Sequence, residues 1–211
     1  MADPWSFGVD PLPQTRELAP LLRRVAGLAV ALDSPHPAIA RLITQLQETE
    51  RTLLEQGPAN LAPRLGPDTG ERVYVDHSRN IGAYNPTFPE YDIDVTGDRA
   101  AGTVEFPLAF EGPPGIVHGG VLATFFDCVI QHHNCDVGVA GKTSALHLAY
   151  RRPTPLLTAL DFEVERAVDD RRITSHARLI HGDIVLCTAT MEAVAGQRAN
   201  LPPVSPRRVP T

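Results

Sequence analysis

The hydrophobic pattern of residues 121–130 predicts a buried helix. Apolar side chains in this segment are spaced three and four positions apart on nearly every side. A helix that is apolar all round belongs in the interior of a domain rather than on its surface. We therefore expect a central helix that begins at Gly119-Gly120 and contains Val121, Leu122, Phe125, Phe126, Val129 and Ile130.

A second helical pattern occupies the N-terminal third of the chain. Leucines and valines between Leu18 and Leu32 follow helical spacing, which requires Pro20 to lie in the first turn or to interrupt the helix. The Asp-Ser-Pro segment at 33–35 is expected to end this helix and to cap the next one, at 39–54. Residues 1–70 are therefore predicted to form a helical extension that packs on the main domain or on a neighbouring subunit.

Alternating apolar and polar positions predict strands on both sides of the central helix. Before the helix, one strand covers residues 91–95, and a turn at Gly97-Asp98 leads into a second strand in which Val104, Phe106, Leu108 and Phe110 alternate with small or polar residues. After the helix, about four strands fall within 142–195, and the turns between them are too short for parallel connections. The prediction for residues 71–195 is an α+β domain with an antiparallel sheet of about six strands around one helix. The proline-rich residues 196–211 are expected to form a disordered tail.

The composition excludes several classes of function. The 211 residues (22.9 kDa) carry a net charge of −6 and have a pI near 5.7, whereas a nucleic-acid-binding protein needs a basic surface. No segment approaches the ~20 consecutive apolar residues of a membrane-spanning helix. The three cysteines show no disulfide-framework spacing, so reduced thiols and a cytoplasmic location are expected.

An acidic residue in the middle of the central helix is the strongest sign of chemistry. Burial of the Asp127 carboxylate without a partner would cost several kcal/mol, so its position needs a reason. The start of the same helix, at His118-Gly119-Gly120, offers free N–H groups and a positive dipole to a developing oxyanion. We favour a catalytic helix; in the structural alternative, Asp127 pairs with Lys142 or with an arginine at an interface.

Three motifs in this order resemble the hotdog-fold thioesterases. They are GPPGIVHGG at 112–120, Asp127 nine positions after His118, and KTSALHLAYRRPTPL at 142–156. The resemblance covers residues 80–195 and is to the branch that includes the phenylacetate-pathway and 4-hydroxybenzoyl-CoA types. It implies the hotdog fold and an acyl-CoA thioesterase, which hydrolyses a thioester to a free acid and coenzyme A. No metal or other cofactor is implied, and coenzyme A enters only as part of the substrate.

The resemblance also implies roles for individual residues. The N–H of Gly119 would polarise the thioester carbonyl, Asp127 would act as nucleophile or as base toward water, and Thr143 would orient that water. Ser144 is the reserve for Thr143, on the opposite face of the strand. The remaining substrate-binding candidates are His118 and Gly120 at the helix start, and Arg151 and Arg152, which often reach coenzyme A phosphates in this fold. One departure is Gly112, where many relatives carry Asn or Gln.

The spacing of Gly119 and Asp127 predicts a site shared between subunits. Eight positions on one helix separate the two groups by about 12 Å along its axis. One helix therefore cannot bring both groups within ~3 Å of the same carbonyl carbon. If both are catalytic, the protein is at least a homodimer with sites at the interface, and the family suggests further assembly to tetramers or hexamers.

Three other interpretations stay open. The hotdog fold also hosts enoyl-CoA hydratases and dehydratases, which need a histidine and an aspartate poised for proton transfer at the α-carbon. A non-catalytic acyl-CoA-binding protein would have no need of Asp127 and Thr143. A zinc site could be formed by Cys128, His132, His133 and Cys135, but their spacing matches no standard zinc pattern, so we predict no metal.

Overall fold

The computed structural model describes residues 10–57, 79–136 and 141–195. Three helices and six strands form the body of this part of the chain. They are α1 (Pro13–Val30), α2 (Pro37–Gln56), β1 (Tyr91–Thr96), β2 (Arg99–Glu105), α3 (Gly119–Asp136), β3 (Gly141–Tyr150), β4 (Ala159–Asp169), β5 (Arg172–His181) and β6 (Ile184–Ala195). Single 3₁₀ turns lie at Ile81–Ala83 and Leu108–Phe110. The predicted tail at 196–211 and the boundary at residue 70 lie outside the described residues.

The six strands form one antiparallel sheet in the order β1-β2-β4-β5-β6-β3. This confirms the α+β architecture with a single central helix. The second strand was predicted too long, because it ends at Glu105 and Leu108 and Phe110 lie in a 3₁₀ turn instead. The turn follows Pro107, whose ring fixes φ and whose nitrogen has no proton for a strand ladder.

The core lies between α3 and the sheet. Phe125 and Phe126 of α3 are fully buried, and the ring of Phe125 packs at 5.4 Å from Phe162 of β4 and at 5.3 Å from Phe106. Truncation of a buried phenylalanine to alanine costs about 3–5 kcal/mol, so these rings fix the position of α3 strongly. Residues Leu160, Phe162 and Val164 alternate inward along β4, as the period of a half-buried strand requires.

Helix α1 runs through Pro20, contrary to the prediction that this residue would start or interrupt the helix. Pro13 occupies the helix start, and Pro20 is the eighth residue. Packing explains the difference: Ala19, Arg23 and Gly27 recur every four residues and are all buried. Gly27 contacts the 3₁₀ turn, where an added Cβ would lie 3.7 Å from that of Leu108. This tertiary packing compensates for the hydrogen bond lost at the proline.

Helix α2 has a different cap from the predicted one. Its N-cap is His36, whose Nδ1 accepts a hydrogen bond of 3.2 Å from the N–H of Ala38, and Pro37 is the first helical residue. The Asp-Ser-Pro segment lies too early, because proline at the first helical position makes the preceding residue the cap. None of the residues of α2 is buried. No helix among the described residues is long and apolar enough to cross a membrane.

Candidate active site

The start of α3 is shaped by His118. Its backbone N–H donates to the carbonyl of Phe110 at 2.9 Å, and its ring Nδ1 accepts from the N–H of Gly120 at 3.0 Å. The N–H of Gly119 donates to no acceptor within the part of the chain that the structure describes. This amide, at the positive end of the helix dipole, is therefore available to a ligand oxygen.

Gly112 packs directly beneath His118. A Cβ at this position would lie 2.8 Å from Cα of His118, so the Asn or Gln of many relatives cannot be fitted without moving the loop. The neighbouring Glu111 supports the same loop, because its carboxylate accepts a hydrogen bond of 2.6 Å from the N–H of Gly115. The departure at Gly112 therefore accompanies a close approach of the loop to the helix start.

Tyr150 contacts the first residue of the helix and was missed as a site residue in the sequence. Its hydroxyl donates to the carbonyl of Gly119 at 3.0 Å, and its ring would lie 3.3 Å from a Cβ on Gly119. Arg151 and Arg152 follow directly and are exposed. The two arginines are therefore attached to the strand end that touches the helix start, although their role with coenzyme A stays a prediction.

A hydrogen-bonded group forms around Asp127, farther along α3. The hydroxyl of Thr143 on β3 donates to Oδ1 of Asp127 at 2.9 Å. The side-chain amide of Gln131, one turn after Asp127, donates to Oγ1 of Thr143 at 2.9 Å. The carboxylate is half-buried, so it has a partner and a path to solvent. Gln131 was not singled out in the sequence, where its spacing of four from Asp127 was the available signal.

Ser144 lies apart from this group. Its hydroxyl donates to the carbonyl of Glu192 on the neighbouring strand β6 at 3.0 Å. The register between β3 and β6 shifts between Thr143 and Ala145, which is the signature of a β-bulge. The structure thus places Thr143, and not Ser144, against Asp127. The catalytic role of Thr143 stays a prediction.

Gly119 and Asp127 lie at separate points of one chain. They are the first and ninth residues of α3, about 12 Å apart along the helix axis. A single chain therefore presents two separate groups of candidate site residues. One combines the Gly119 amide with Tyr150, and the other combines Asp127 with Thr143 and Gln131.

The two histidine residues of α3 have separate partners. His132 Nδ1 accepts from the N–H of Asn80 at 3.2 Å and lies 2.8 Å from the hydroxyl of Tyr91, whereas His133 Nε2 lies 3.1 Å from the carbonyl of Gly97. Among the described residues, no three His, Cys, Asp or Glu side chains are grouped to hold a metal. Burial, and then the negative charge of Asp127, raises the pKa of the Cys128 thiol to about 12. This thiol is therefore a protonated packing group.

Comparison with known proteins decides the family. A solved structure of a thioesterase superfamily protein matches with a TM-score of 0.71 and 26% identity, covering 89% of this chain and 94% of that one. The chain belongs to the hotdog-fold thioesterase superfamily. The likeness extends beyond residues 80–195, to which the sequence motifs were confined. No protein-family model matches the chain.

Two other similarities are more limited. The acyl-coenzyme A thioesterase THEM4 of Mus musculus is 40% identical over 53 residues, which are 25% of this chain and 23% of that protein. The chain therefore matches about a quarter of that curated relative. A hypothetical thioesterase from Streptococcus pneumoniae, solved with coenzyme A, matches with a TM-score of 0.48 and 21% identity over 52% of this chain and 91% of that one. The branch of the superfamily to which the chain belongs stays a prediction.

Proposed function

We propose that this hotdog protein is an acyl-CoA thioesterase that hydrolyses an acyl-CoA thioester to a free acid and coenzyme A. The observation that carries the proposal is the half-buried Asp127 carboxylate, which is held at 2.9 Å by the hydroxyl of Thr143. A purely structural acid on an apolar helix would be expected in an ion pair. Asp127 instead accepts from a neutral hydroxyl and forms no ion pair within the described residues.

The helix start supplies the electrophilic half of the reaction. The thioester oxygen would accept the hydrogen bond of the Gly119 N–H, where the helix dipole stabilises the negative charge that develops on attack. Tyr150 holds Gly119 through its carbonyl, and the His118 ring holds the next residue through the N–H of Gly120. Removal of a single oxyanion-hole donor typically costs a factor of 10²–10³ in kcat, so the Gly119 amide would contribute a large part of the rate.

Asp127 supplies the nucleophilic half in one of two ways. As a base, it takes a proton from water, and the hydroxide adds to the carbonyl carbon before the C–S bond breaks. As a nucleophile, it attacks the carbon itself, expels the thiolate and leaves a mixed anhydride that water then hydrolyses. In both routes the leaving group is the coenzyme A thiolate, a good leaving group that needs little acid assistance.

The site would be assembled between two copies of the chain. Because Gly119 and Asp127 are about 12 Å apart on one helix, the helix start of one subunit would meet the carboxylate of another. Strand β3, which carries Thr143, lies at an edge of the sheet. An edge strand of ten residues presents backbone groups that can pair with a second copy. A homodimer, with further association to tetramers or hexamers, is part of this proposal.

The coenzyme A moiety would lie over Arg151 and Arg152. Both side chains are exposed and follow Tyr150, which touches Gly119, so a substrate bound at the helix start passes close to them. Guanidinium groups bind phosphate oxygens in a bidentate manner, which suits the phosphates of coenzyme A. The described cysteines form no disulfide, in keeping with the proposed cytoplasmic location.

The test is thiol release from a panel of short, long and aromatic acyl-CoAs, run on the wild type and on Asp127→Asn. We expect turnover by the wild type and its loss in Asp127→Asn, with unchanged circular dichroism and thermal midpoint. An active Asp127→Asn enzyme would overturn the assignment of this residue. Tight acyl-CoA binding with no thiol release by the wild type would favour the non-catalytic alternative.

A further inference from the structure

Gln131 occupies the same face of α3 as Asp127, one helical turn later. Its Nε2 lies 2.9 Å from Oγ1 of Thr143 and 3.7 Å from Sδ of Met191. Met191 is fully buried, and its sulfur also lies 3.8 Å from Oγ1 of Thr143. Oγ1 of Thr143 thus lies near a carboxylate, an amide and a thioether, of which the thioether is only a weak acceptor.

The direction of each hydrogen bond follows from what these groups can donate. A carboxylate that acts as base or nucleophile is ionised and only accepts, so the single hydroxyl proton of Thr143 must point to Asp127. The oxygen of Thr143 then has only lone pairs to offer to Gln131. The amide of Gln131 must therefore present its NH₂ group, and this donor holds Thr143 in the rotamer that reaches Asp127.

The arrangement distinguishes the two oxygens of the carboxylate. Oδ1 of Asp127 accepts the Thr143 hydroxyl, so one of its lone pairs is already engaged. Oδ2 accepts no protein donor within the described residues. Of the two, Oδ2 is therefore the oxygen with neither lone pair engaged by a described protein donor, and both are available to water or to a carbonyl carbon.

We propose that Gln131 is a positioning residue that acts through Thr143 and thereby leaves Oδ2 of Asp127 as the reacting oxygen. This inference rests on the proposed thioesterase function. It assigns to Gln131 no contact with the substrate, so its removal changes kcat and leaves substrate affinity nearly unaltered. It also requires that the effect of Gln131 disappears once Thr143 can no longer transmit it.

The experiment is a double-mutant cycle with an acyl-CoA that the wild type hydrolyses. Gln131→Met preserves the length of the side chain but removes the donor, and Thr143→Val removes the hydroxyl while retaining the shape. We expect Gln131→Met to lower kcat roughly five- to tenfold, as the loss of one neutral hydrogen bond predicts, with KM changed less than about twofold. The matched control is Gln47→Met on the exposed face of α2, which should retain wild-type kinetics.

The double variant shows whether Gln131 acts through Thr143 or independently of it. If Gln131 acts through Thr143, Gln131→Met/Thr143→Val has the same kcat as Thr143→Val, within about twofold. Multiplication of the two single effects would overturn the proposal. So would a rise in KM without a change in kcat, because Gln131 would then contact the substrate.

A crystal structure of Gln131→Met provides a readout that does not depend on activity. We expect the Thr143 hydroxyl to rotate away, so that its separation from Oδ1 of Asp127 exceeds hydrogen-bond distance. Retention of the 2.9 Å contact would overturn the positioning role even if the wild type proved inactive toward every acyl-CoA. An inactive wild type together with the expected rotation would overturn the proposed function and leave the role of Gln131 in place.

Discussion

The hydroxyl of Tyr150 donates a hydrogen bond of 3.0 Å to the carbonyl of Gly119, so the end of strand β3 is fixed to the start of helix α3. The tip of the tyrosine ring also fills the space next to the glycine, at 3.3 Å from the position of a Cβ. The contact holds Gly119 through its carbonyl, while the Gly119 N–H is unpaired within the described residues. The proposed oxyanion donor is therefore fixed in position before a substrate binds.

Substitution of Gly119 by proline and by alanine should distinguish the effect of losing the amide proton from the effect of filling the space beside the glycine. Proline is accepted at the first position of a helix, so Gly119→Pro removes the N–H while retaining α3. We expect kcat to fall about a hundredfold or more. Gly119→Ala keeps the N–H donor. Because Tyr150 is exposed enough to move by a few tenths of an ångström, we expect this variant to lose much less kcat than Gly119→Pro. Equal losses in steady-state assays of the two variants would argue against an oxyanion role.

Complementation between two inactive variants should reveal whether the site is shared between subunits. Gly119→Pro lacks the donor and Asp127→Asn lacks the carboxylate, so each homodimer is inactive under the proposed mechanism. A hybrid dimer contains one site with both groups intact. Co-refolding equal amounts should therefore restore about a quarter of wild-type activity, because half the dimers are hybrids and each has one of two sites.

The control for complementation is a mixture of Asp127→Asn with Asp127→Ala, which contains no intact carboxylate and should stay inactive. If the site lay within one chain, the mixture of Gly119→Pro and Asp127→Asn would stay inactive as well. Light scattering on the wild type should then show at least a dimer; a strictly monomeric active enzyme would exclude the shared site.

The main elements of the domain could be predicted because they are local patterns. The apolar spacing of 121–130 predicted α3, and the short turns after it predicted an antiparallel sheet; both predictions are confirmed. The predictions for the end of β2 and for the path of α1 were wrong for opposite reasons. Pro107 is a local signal that the alternating pattern obscured, whereas Pro20 is retained in a helix by packing that no local pattern shows.

The site was only partly visible in the sequence because its contacts are long-range. Gln131 meets Thr143 across 12 positions, and Tyr150 meets Gly119 across 31. Both contacts depend on how β3 is aligned with α3. That alignment includes a β-bulge near Thr143, which period-two alternation cannot show. Motif resemblance could indicate Asp127 and Gly119, but their neighbours follow from the fold.

Arg23 should contribute strongly to the attachment of the N-terminal helix. Its guanidinium is buried, donates to the carbonyls of Gly82 at 2.6 Å and Asn85 at 2.9 Å, and lies 3.4 Å from the carboxylate of Glu90. Burial lowers the pKa of Arg23, and the charge of Glu90 opposes that shift. We expect Arg23→Met to lower the free energy of unfolding by about 2–3 kcal/mol, because two carbonyls lose a charged donor. Urea denaturation provides the measurement.

Arg24 provides the matched control for this substitution. It is the next residue on α1, and its side chain is exposed. Arg24→Met should change the free energy of unfolding by less than about 0.5 kcal/mol, as is usual for surface positions. If both variants were equally stable, the contacts of Arg23 would not stabilise the attachment of α1.

Cys128 should react very slowly with alkylating reagents despite its place beside the proposed catalytic carboxylate. The thiolate is the reactive form, and burial together with the charge of Asp127 raises the pKa of this thiol to about 12. At pH 8 roughly one thiol in ten thousand is ionised, so the wild type should retain its activity in iodoacetamide.

The sign of the shift also predicts that alkylation of Cys128 accelerates about tenfold per pH unit beyond pH 9, where an ordinary thiol levels off. Mass spectrometry of peptides after timed alkylation measures this rate, with the urea-unfolded protein as the control in which the thiol reacts freely. Rapid modification of Cys128 at pH 8, with loss of thiol release from acyl-CoA, would show instead that the residue is an accessible thiolate in the site.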